Sequence, residues 1–265
     1  MAEKRQEKSL IRNNRRLQGD YCQVDLESPG IAPLVAPGQF VHVKMPNLEH
    51  RILRRPFSVY DTDPKDGRLS IVYKVIGLGT AHLATLKPGT ELDLLGPLGV
   101  GFTPPRPEQT PIVVAGGYGC AATYLLARQS PVPAYCLLGG RSADDLLLVE
   151  EFKQLDAQVE LATDDGSRGR RGLVTELLEE LLARGDLRNP QIYACGPVGM
   201  LKAVGRIAHQ SGLVAEISLD HAMCCGVGAC FACVVKVKAD TPAGWDYART
   251  CVEGPVFRSD QAVWE

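Results

Sequence analysis

The chain has 265 residues, 45% of them hydrophobic and 23% charged, with a formal net charge of -2. This is globular composition with apolar side chains enough for a buried core, and the length suits two modest domains with a small third module. The near-neutral charge, with no concentrated basic face, argues against a nucleic-acid partner. No apolar run reaches the ~20 residues of a membrane span.

The first sixteen residues are locally basic (Lys4, Arg5, Lys8, Arg12, Arg15, Arg16) and lack the apolar core of a signal peptide. They read as a partly solvated tail leading into the first strand. The default location is the cytoplasm, where thiols stay reduced and clustered cysteines more often hold metal than pair as disulfides. From about residue 10 to 102, short strands such as "QFVHVKM" and "RLSIVYKVI" are punctuated by the turns "APGQ", "PKDG" and "KPGT". Evenly spaced short strands of this kind predict a small β-barrel over residues 1–104.

The Pro-rich stretch "FTPPRPEQTP" is the candidate linker. After it, the apolar runs "PIVVAGG", "PAYCLLGG", "AQVELATDDGS" and "PQIYACGP" alternate with "AATYLLARQ", "ADDLLLVEEFKQL", "LVTELLEELLARG" and "VGMLKAVGRIAHQSG", whose apolar residues fall at helical spacing. That alternation predicts a parallel sheet covered by helices, an α/β domain over 105–212. Residues 213–265 form a third, cysteine-rich module.

Five of the nine cysteines fall between Cys224 and Cys251. Counted from Cys225, the spacing is Cys-x4-Cys-x2-Cys through Cys230 and Cys233, with seventeen residues more before Cys251. That is the plant-type [2Fe–2S] pattern, in which three thiolates on one tight loop wrap one side of a cluster and a distant fourth closes the set. Gly226, Gly228 and Ala229 between the first two ligands leave room for backbone N–H groups to approach sulfur. Zinc is the main alternative, although zinc knuckles present two separated pairs rather than three ligands within nine residues. Cys224 would require x5 in place of x4 and is read as a free thiol. Cys22, Cys120 and Cys136 read as small buried hydrophobes.

In "RRPFSVYD", read at a strand end, an arginine can fork onto a pyrophosphate, the proline fixes the backbone, and the serine hydroxyl can reach a flavin ring nitrogen. A strand end with a solvent-facing arginine is the plainer reading. "YKVIGLGT" follows, where Gly77, Gly79 and Thr80 can cradle phosphate with backbone amides.

"PGQF", "RPFS", "GLGT" and "GPLGVGF" resemble the flavin domain of ferredoxin–NADP reductase relatives, and "YACGP" resembles the nicotinamide-side motif of the same superfamily. "MCCGVGACFAC" followed by "CVEGPVF" narrows the likeness to the electron-transfer subunit of class B dihydroorotate dehydrogenase, over nearly the whole chain from about residue 10. The stretch "SLDHAM" departs from that pattern, which carries a glutamate and basic residues near Asp220 to Ala222. The resemblance implies that Arg55, Pro56, Phe57 and Ser58 contact FAD. Val72, Tyr73 and Lys74 would do so largely through backbone, with Gly79 and Thr80 at the pyrophosphate. It implies an FMN-containing catalytic subunit as partner, in a 2+2 heterotetramer, with electrons passing from FMN through the cluster and FAD to NAD+ in pyrimidine synthesis. No acid–base pair for dihydroorotate chemistry is visible, consistent with that chemistry residing on the partner. Two other readings stay open: the flavin/iron–sulfur subunit of an NADH-dependent ferredoxin:NADP or sulfide oxidoreductase, and a zinc-stabilised binding module.

On the nicotinamide side, "VVAGGYGCAA" contains Gly117-x-Gly119-x-x-Ala122, which matches the dinucleotide fingerprint. The acidic residue expected about twenty positions on is missing at the next strand end, "GGRSADD", so this is not read as a standard Rossmann site. A tight strand–helix turn without ligand is the alternative. The resemblance places Gly117 and Gly119, with Cys195, Gly196 and Pro197, beside the nicotinamide. Cys195 has no His partner nearby and is read as packing rather than as a nucleophile. Arg141 and Ser142 can cradle a 2′-phosphate and would imply NADP, whereas the resemblance implies NAD. "TDDGSRG" ends a strand where ligands collect in open sheets.

Overall fold

A computed structural model of the chain describes residues 3–48, 52–219 and 222–264. Asp220 and His221, where the sequence departs from the resembled pattern, lie outside the described residues.

Strands β1 (Arg5–Arg16), β2 (Tyr21–Glu27), β3 (Phe40–Lys44), β4 (Arg55–Asp63) and β5 (Arg68–Lys74) are followed by a short helix, α1 (Leu78–Leu83), and by β6 (Glu91–Leu98). The six strands close a barrel in the order β1-β2-β5-β4-β3-β6. Alternation drives its closure: Val24, Leu26, Val41, Val43, Leu69, Ile71, Leu92 and Leu94 are fully buried in one core. The basic N-terminal stretch is not a tail. It is β1, paired on one side with β2 and on the other with β6. Ser9 and Ile11 point inward, while Lys8 bridges to Glu91 (3.0 Å) and Arg12 to Glu27 (3.5 Å) across neighbouring strands.

The second domain runs β7 (Thr110–Gly116), α2 (Gly119–Gln129), β8 (Tyr135–Gly140), α3 (Val149–Lys153), β9 (Gln158–Thr163), β10 (Arg170–Arg171), α4 (Val174–Ala183), β11 (Pro190–Cys195) and α5 (Val198–Gln210). Its last elements are β12 (Ala215–Ser218), a hairpin of β13 (Val234–Lys238) with β14 (Trp245–Arg249), and β15 (Val256–Arg258). The sheet order is β10-β9-β8-β7-β11-β12-β15, parallel except for the antiparallel edge strand β15. The stretch "ADDLLLVEEFKQL" does not form one long helix: a 3-10 turn at Ala143–Asp145 precedes Leu148, whose left-handed φ of 58° breaks the run before α3.

The chain segment after β12 leaves the sheet, forms the cysteine loop and the hairpin, and returns as β15. The cluster module is thus stitched into the sheet's edge. Helix α2 packs between sheet and barrel, with the Tyr60 and Tyr124 rings 4.7 Å apart and Arg128 bridging to Asp61 at 2.8 Å. Cys22, Cys120 and Cys136 are buried, as small apolar side chains would be. Among the described residues no helix is long and apolar enough to cross a membrane.

Candidate functional site

Two cavities meet at the junction of the modules. The first, about 430 Å³, lies on the barrel's outer face against β3, β4 and β5. Arg55, Pro56, Phe57, Ser58, Val72, Tyr73, Lys74 and Thr80 all line it, so the structure gathers these sequence-predicted residues in one place. Arg55, Pro56, Phe57 and Ser58 open β4 rather than ending a strand, and strand register sets Ser58 opposite Phe40 and Pro56 opposite His42. Facing the barrel are Tyr118 and Ala121 from the start of α2, and Ala222, Met223 and Pro255 from the cysteine module. All three modules therefore wall this cavity.

Arg55, Ile76 and Thr80 continue it into a smaller one of about 250 Å³ lined also by Gly77 and Gly79. A side chain at Gly79 would stand 3.3 Å from Arg55 Nε, so glycine there lets the guanidinium lie against α1. The Thr80 hydroxyl accepts hydrogen bonds from the amides of Ile76 (3.0 Å) and Gly77 (3.2 Å). The amides of Leu78, Gly79 and Thr80, at the helix start, have no acceptor within the helix. The neighbouring Arg54 is engaged elsewhere, with Asp93 at 2.9 Å. A long groove with one arginine at its narrow end and apolar strands at its wide end fits a flavin dinucleotide.

The second cavity, about 520 Å³, sits at the carboxyl ends of β7, β8 and β11, where open α/β sheets take ligands. Gly117 and Pro197 line it, with Gly116, Gly140, Arg141, Asp164 and Met200. Gly119, Cys195 and Gly196 lie behind that wall. A Cβ at Gly119 would meet the Cys195 carbonyl oxygen at 2.1 Å, and one at Gly196 would meet the Gly116 amide at 3.0 Å. These glycines allow β7, α2 and β11 to close up, and Cys195 is buried. Lys74 and Tyr118 line both cavities and form their common wall.

Sequence reasoning missed the acid beside this cavity. Asp145, in the 3-10 turn beyond β8, accepts hydrogen bonds from Tyr21 Oη (2.9 Å) and Arg141 Nε (3.0 Å), and Lys74 Nζ stands 3.6 Å away. Burial pushes its carboxyl pKa up, but the bonds from Tyr21 and Arg141 outweigh that and leave it below the usual value. Tyr21 and Lys74 come from β2 and β5 of the barrel, so Asp145 ties the two domains together at the wall between the cavities.

The cysteine loop stands beyond Met223. Among the described residues no three His, Cys, Asp or Glu side chains converge as a site for one metal ion would need. The Cys225 and Cys230 thiols lie within hydrogen-bonding reach of one another, as do those of Cys233 and Cys251. Burial raises the Cys225 thiol, but amides of Val227, Cys230 and Ala229 and the Cys230 thiol outweigh it, lowering the pKa to about 6. The Ala229 amide lies 3.3 Å from Cys225 Sγ. Burial and the bond with Cys233 push Cys251 up to about 12, while the Gly228 amide opposes them. Cys225, Cys230, Cys233 and Cys251, with backbone amides aimed at the Cys225 and Cys251 sulfurs, are the residues that would hold a two-iron cluster of the plant-type spacing.

Gly226 and Gly228 hold left-handed φ values of 70° and 83°, and a side chain at Gly228 would strike Val252. Arg249 fastens the loop: it donates to the Gly228 carbonyl (3.0 Å), pairs with Glu253, and stacks 5.2 Å over the Phe231 ring. Phe40 and Leu98 pack on Cys233 and Cys251. The "GPLG" and "GPVF" segments abut here, with the Val100 amide bonded to the Gly254 carbonyl at 2.5 Å.

Three family models match in series: "Oxidoreductase FAD-binding domain" over residues 19–102, "Oxidoreductase NAD-binding domain" over 113–206, and "Iron-sulfur cluster binding domain of dihydroorotate dehydrogenase B" over 220–263. The chain is thus an oxidoreductase component with FAD, NAD and iron–sulfur domains. Full-length relatives narrow the class. A protein from Desulforamulus reducens is 39% identical, covering 91% of this chain and 92% of the relative. One from Enterococcus faecalis is 38% identical, covering 98% and 99%. Both are named dihydroorotate dehydrogenase B (NAD(+)), electron transfer subunit, and this chain belongs to that family. Among solved structures, a chain of an NADH-dependent reduced ferredoxin–NADP oxidoreductase superposes with a TM-score of 0.82 at 30% identity, covering 97% of this chain and 90% of that one. The ferredoxin reductase of carbazole 1,9a-dioxygenase, at 21% identity and TM-score 0.66 over 79% and 67% of the two chains, shares the fold.

Proposed function

We propose that this chain carries electrons from a catalytic subunit that oxidises dihydroorotate, through a [2Fe–2S] cluster on Cys225, Cys230, Cys233 and Cys251 and through FAD, to NAD+. The observation that carries the reading is the flavin cavity walled by all three modules: Ser58 and Phe40 from the barrel, Tyr118 from the nucleotide domain, Met223 and Pro255 from the cysteine module. When bound, FAD supplies the one conversion the others lack, exchanging hydride with nicotinamide and single electrons with a cluster. Arg55 holds the pyrophosphate by charge-assisted hydrogen bonds, and Ser58 directs its hydroxyl at the flavin ring. Lys74 and Tyr118 border both cavities, where nicotinamide must touch the flavin ring to exchange hydride, and the Asp145 tie to Tyr21 and Lys74 keeps that border in register. Gly117 and Pro197 present the nicotinamide half of NAD.

NAD rather than NADP follows the relatives, which are named dihydroorotate dehydrogenase B (NAD(+)), electron transfer subunit. An FMN cofactor on the partner, a 2+2 assembly and a cytoplasmic location complete the reading.

The test mixes purified chain with an FMN-containing dihydroorotate dehydrogenase subunit. Dihydroorotate should then bleach flavin and cluster and form NADH from NAD+, with neither chain sufficient alone. The 30% identical chain from the NADH-dependent ferredoxin–NADP oxidoreductase supports a second reading, as a subunit of such an enzyme. Recovery of a ferredoxin–NADP partner in place of an FMN subunit on affinity purification would favour it.

A further inference from the structure

Strand β3 has two faces with different duties. Val41 and Val43 enter the barrel core, whereas Phe40 packs against Cys233 and Cys251 on the outside. His42 lies beside Phe40, their ring centroids 5.6 Å apart. Its exposure is 0%, and among the described residues neither Nδ1 nor Nε2 has a hydrogen-bond partner. Buried imidazole nitrogens are rarely left so, because each unmade bond costs the full desolvation of the group.

The ring's orientation points to the missing partner. A Cβ built on Gly226 would stand 2.7 Å from His42 Cε1, 2.8 Å from Nδ1 and 2.9 Å from Nε2. The nitrogen-bearing edge therefore faces the residue that follows Cys225, across a gap that only glycine leaves open. Burial and the nearby Arg54 charge lower the imidazole pKa to about 4, so near neutrality the ring carries one N–H and one lone pair. Gly226 directly follows Cys225, whose thiol the Cys230 thiol and backbone amides already approach. An anionic sulfur there is an acceptor for the buried N–H.

We infer that His42 donates a ring N–H hydrogen bond to a sulfur of the cluster on the Cys225–Cys230 side, acting from the barrel as a positioning residue for the reduction potential. The inference rests on the proposed four-cysteine ligand set. A donor to sulfur offsets negative charge and favours the reduced, more negative centre, and hydrogen bonds to sulfur are among the determinants of such potentials.

The experiment uses the full holo chain with ring-15N histidine. Pulsed EPR of the reduced cluster should detect 15N coupling, and should still detect it in His221→Gln, which removes the histidine nearest in sequence to the ligands. In His42→Phe the coupling should vanish and the reduced-to-oxidised ratio at fixed poise should fall about tenfold, which is 59 mV for a one-electron couple. His42→Asn, which keeps a side-chain N–H, should recover part of that loss. Coupling lost in His221→Gln, or an unchanged ratio in fully iron-loaded His42→Phe, overturns the role of His42. If His42→Phe fails to take up iron, the labelled wild-type and His221→Gln chains decide on their own. A normal two-iron centre without 15N coupling sinks only His42, whereas a wild-type chain without two irons and two sulfides sinks the ligand reading and this inference with it.

Discussion

Adjacent residues of the same type have different fates here. Cys251 is fully buried against Cys233, Phe40 and Leu98, while Cys224, next to Cys225, has no place in either thiol pair. Cys251→Ser should therefore lose the cluster but keep FAD, whose contacts sit on β4, β5 and α1, and Cys224→Ser should keep both. Iron content and the visible spectrum check this, and iron lost from Cys224→Ser would move the first ligand. The two arginines of "RRPF" separate in the same way. Arg54 is half of an ion pair with Asp93, whereas Arg55 lies along both parts of the flavin groove. A charge-assisted hydrogen bond is worth about 1.5–3 kcal/mol, so Arg55→Ala should weaken FAD binding ~10- to 100-fold and Arg54→Ala should not. Flavin retained through gel filtration measures both. Full retention by Arg55→Ala would remove it from the pyrophosphate.

At the scale of elements, legibility followed sequence distance. The short-range signals, Gly-rich turns, "RPFS" and the x4, x2 cysteine spacing, were readable because each is complete within ten residues. Asp145, Tyr21 and His42 were not, because each acts only once distant strands meet: the Asp145 tie joins β2 to the turn after β8, and His42 reaches from β3 to the cysteine loop. The N-terminal stretch failed for another reason. Its charges mask a weak alternation in which only Ser9 and Ile11 are buried, and those charges are satisfied by neighbouring strands rather than by water alone. Because β1 pairs with both β2 and β6, removing it opens the barrel and leaves two unpaired edges over an apolar core. A chain lacking residues 1–16 should lose FAD and aggregate, as followed by flavin absorbance and light scattering. Normal flavin content in that truncation would restore the reading of a solvated tail.

For the whole molecule, the order in space differs from the order along the chain: the flavin cavity of the first domain lies in the middle, between the nucleotide cavity with its border of Lys74 and Tyr118 on one side and Met223 with the cysteine loop on the other. In the proposed relay the nucleotide end takes a small diffusible ligand, so electrons exchanged with another protein cross at the cysteine loop. There Cys230 is exposed, and Val227 and Phe231 of the same loop show 45% and 59% of their surfaces, apolar side chains that a partner can cover. The chain alone should oxidise NADH with an artificial acceptor, and dihydroorotate should leave its absorbance unchanged. Phe231→Glu, checked for unchanged iron and flavin, should weaken docking of the FMN subunit and lower dihydroorotate-dependent NADH formation at least several-fold. It should leave the lone chain's NADH–dye activity as it was, because a small dye needs no docking face. Equal loss of both activities would mean that Phe231 supports the loop beneath Arg249 rather than the partner. Turnover of dihydroorotate by the lone chain would remove the need for a second subunit and with it the relay.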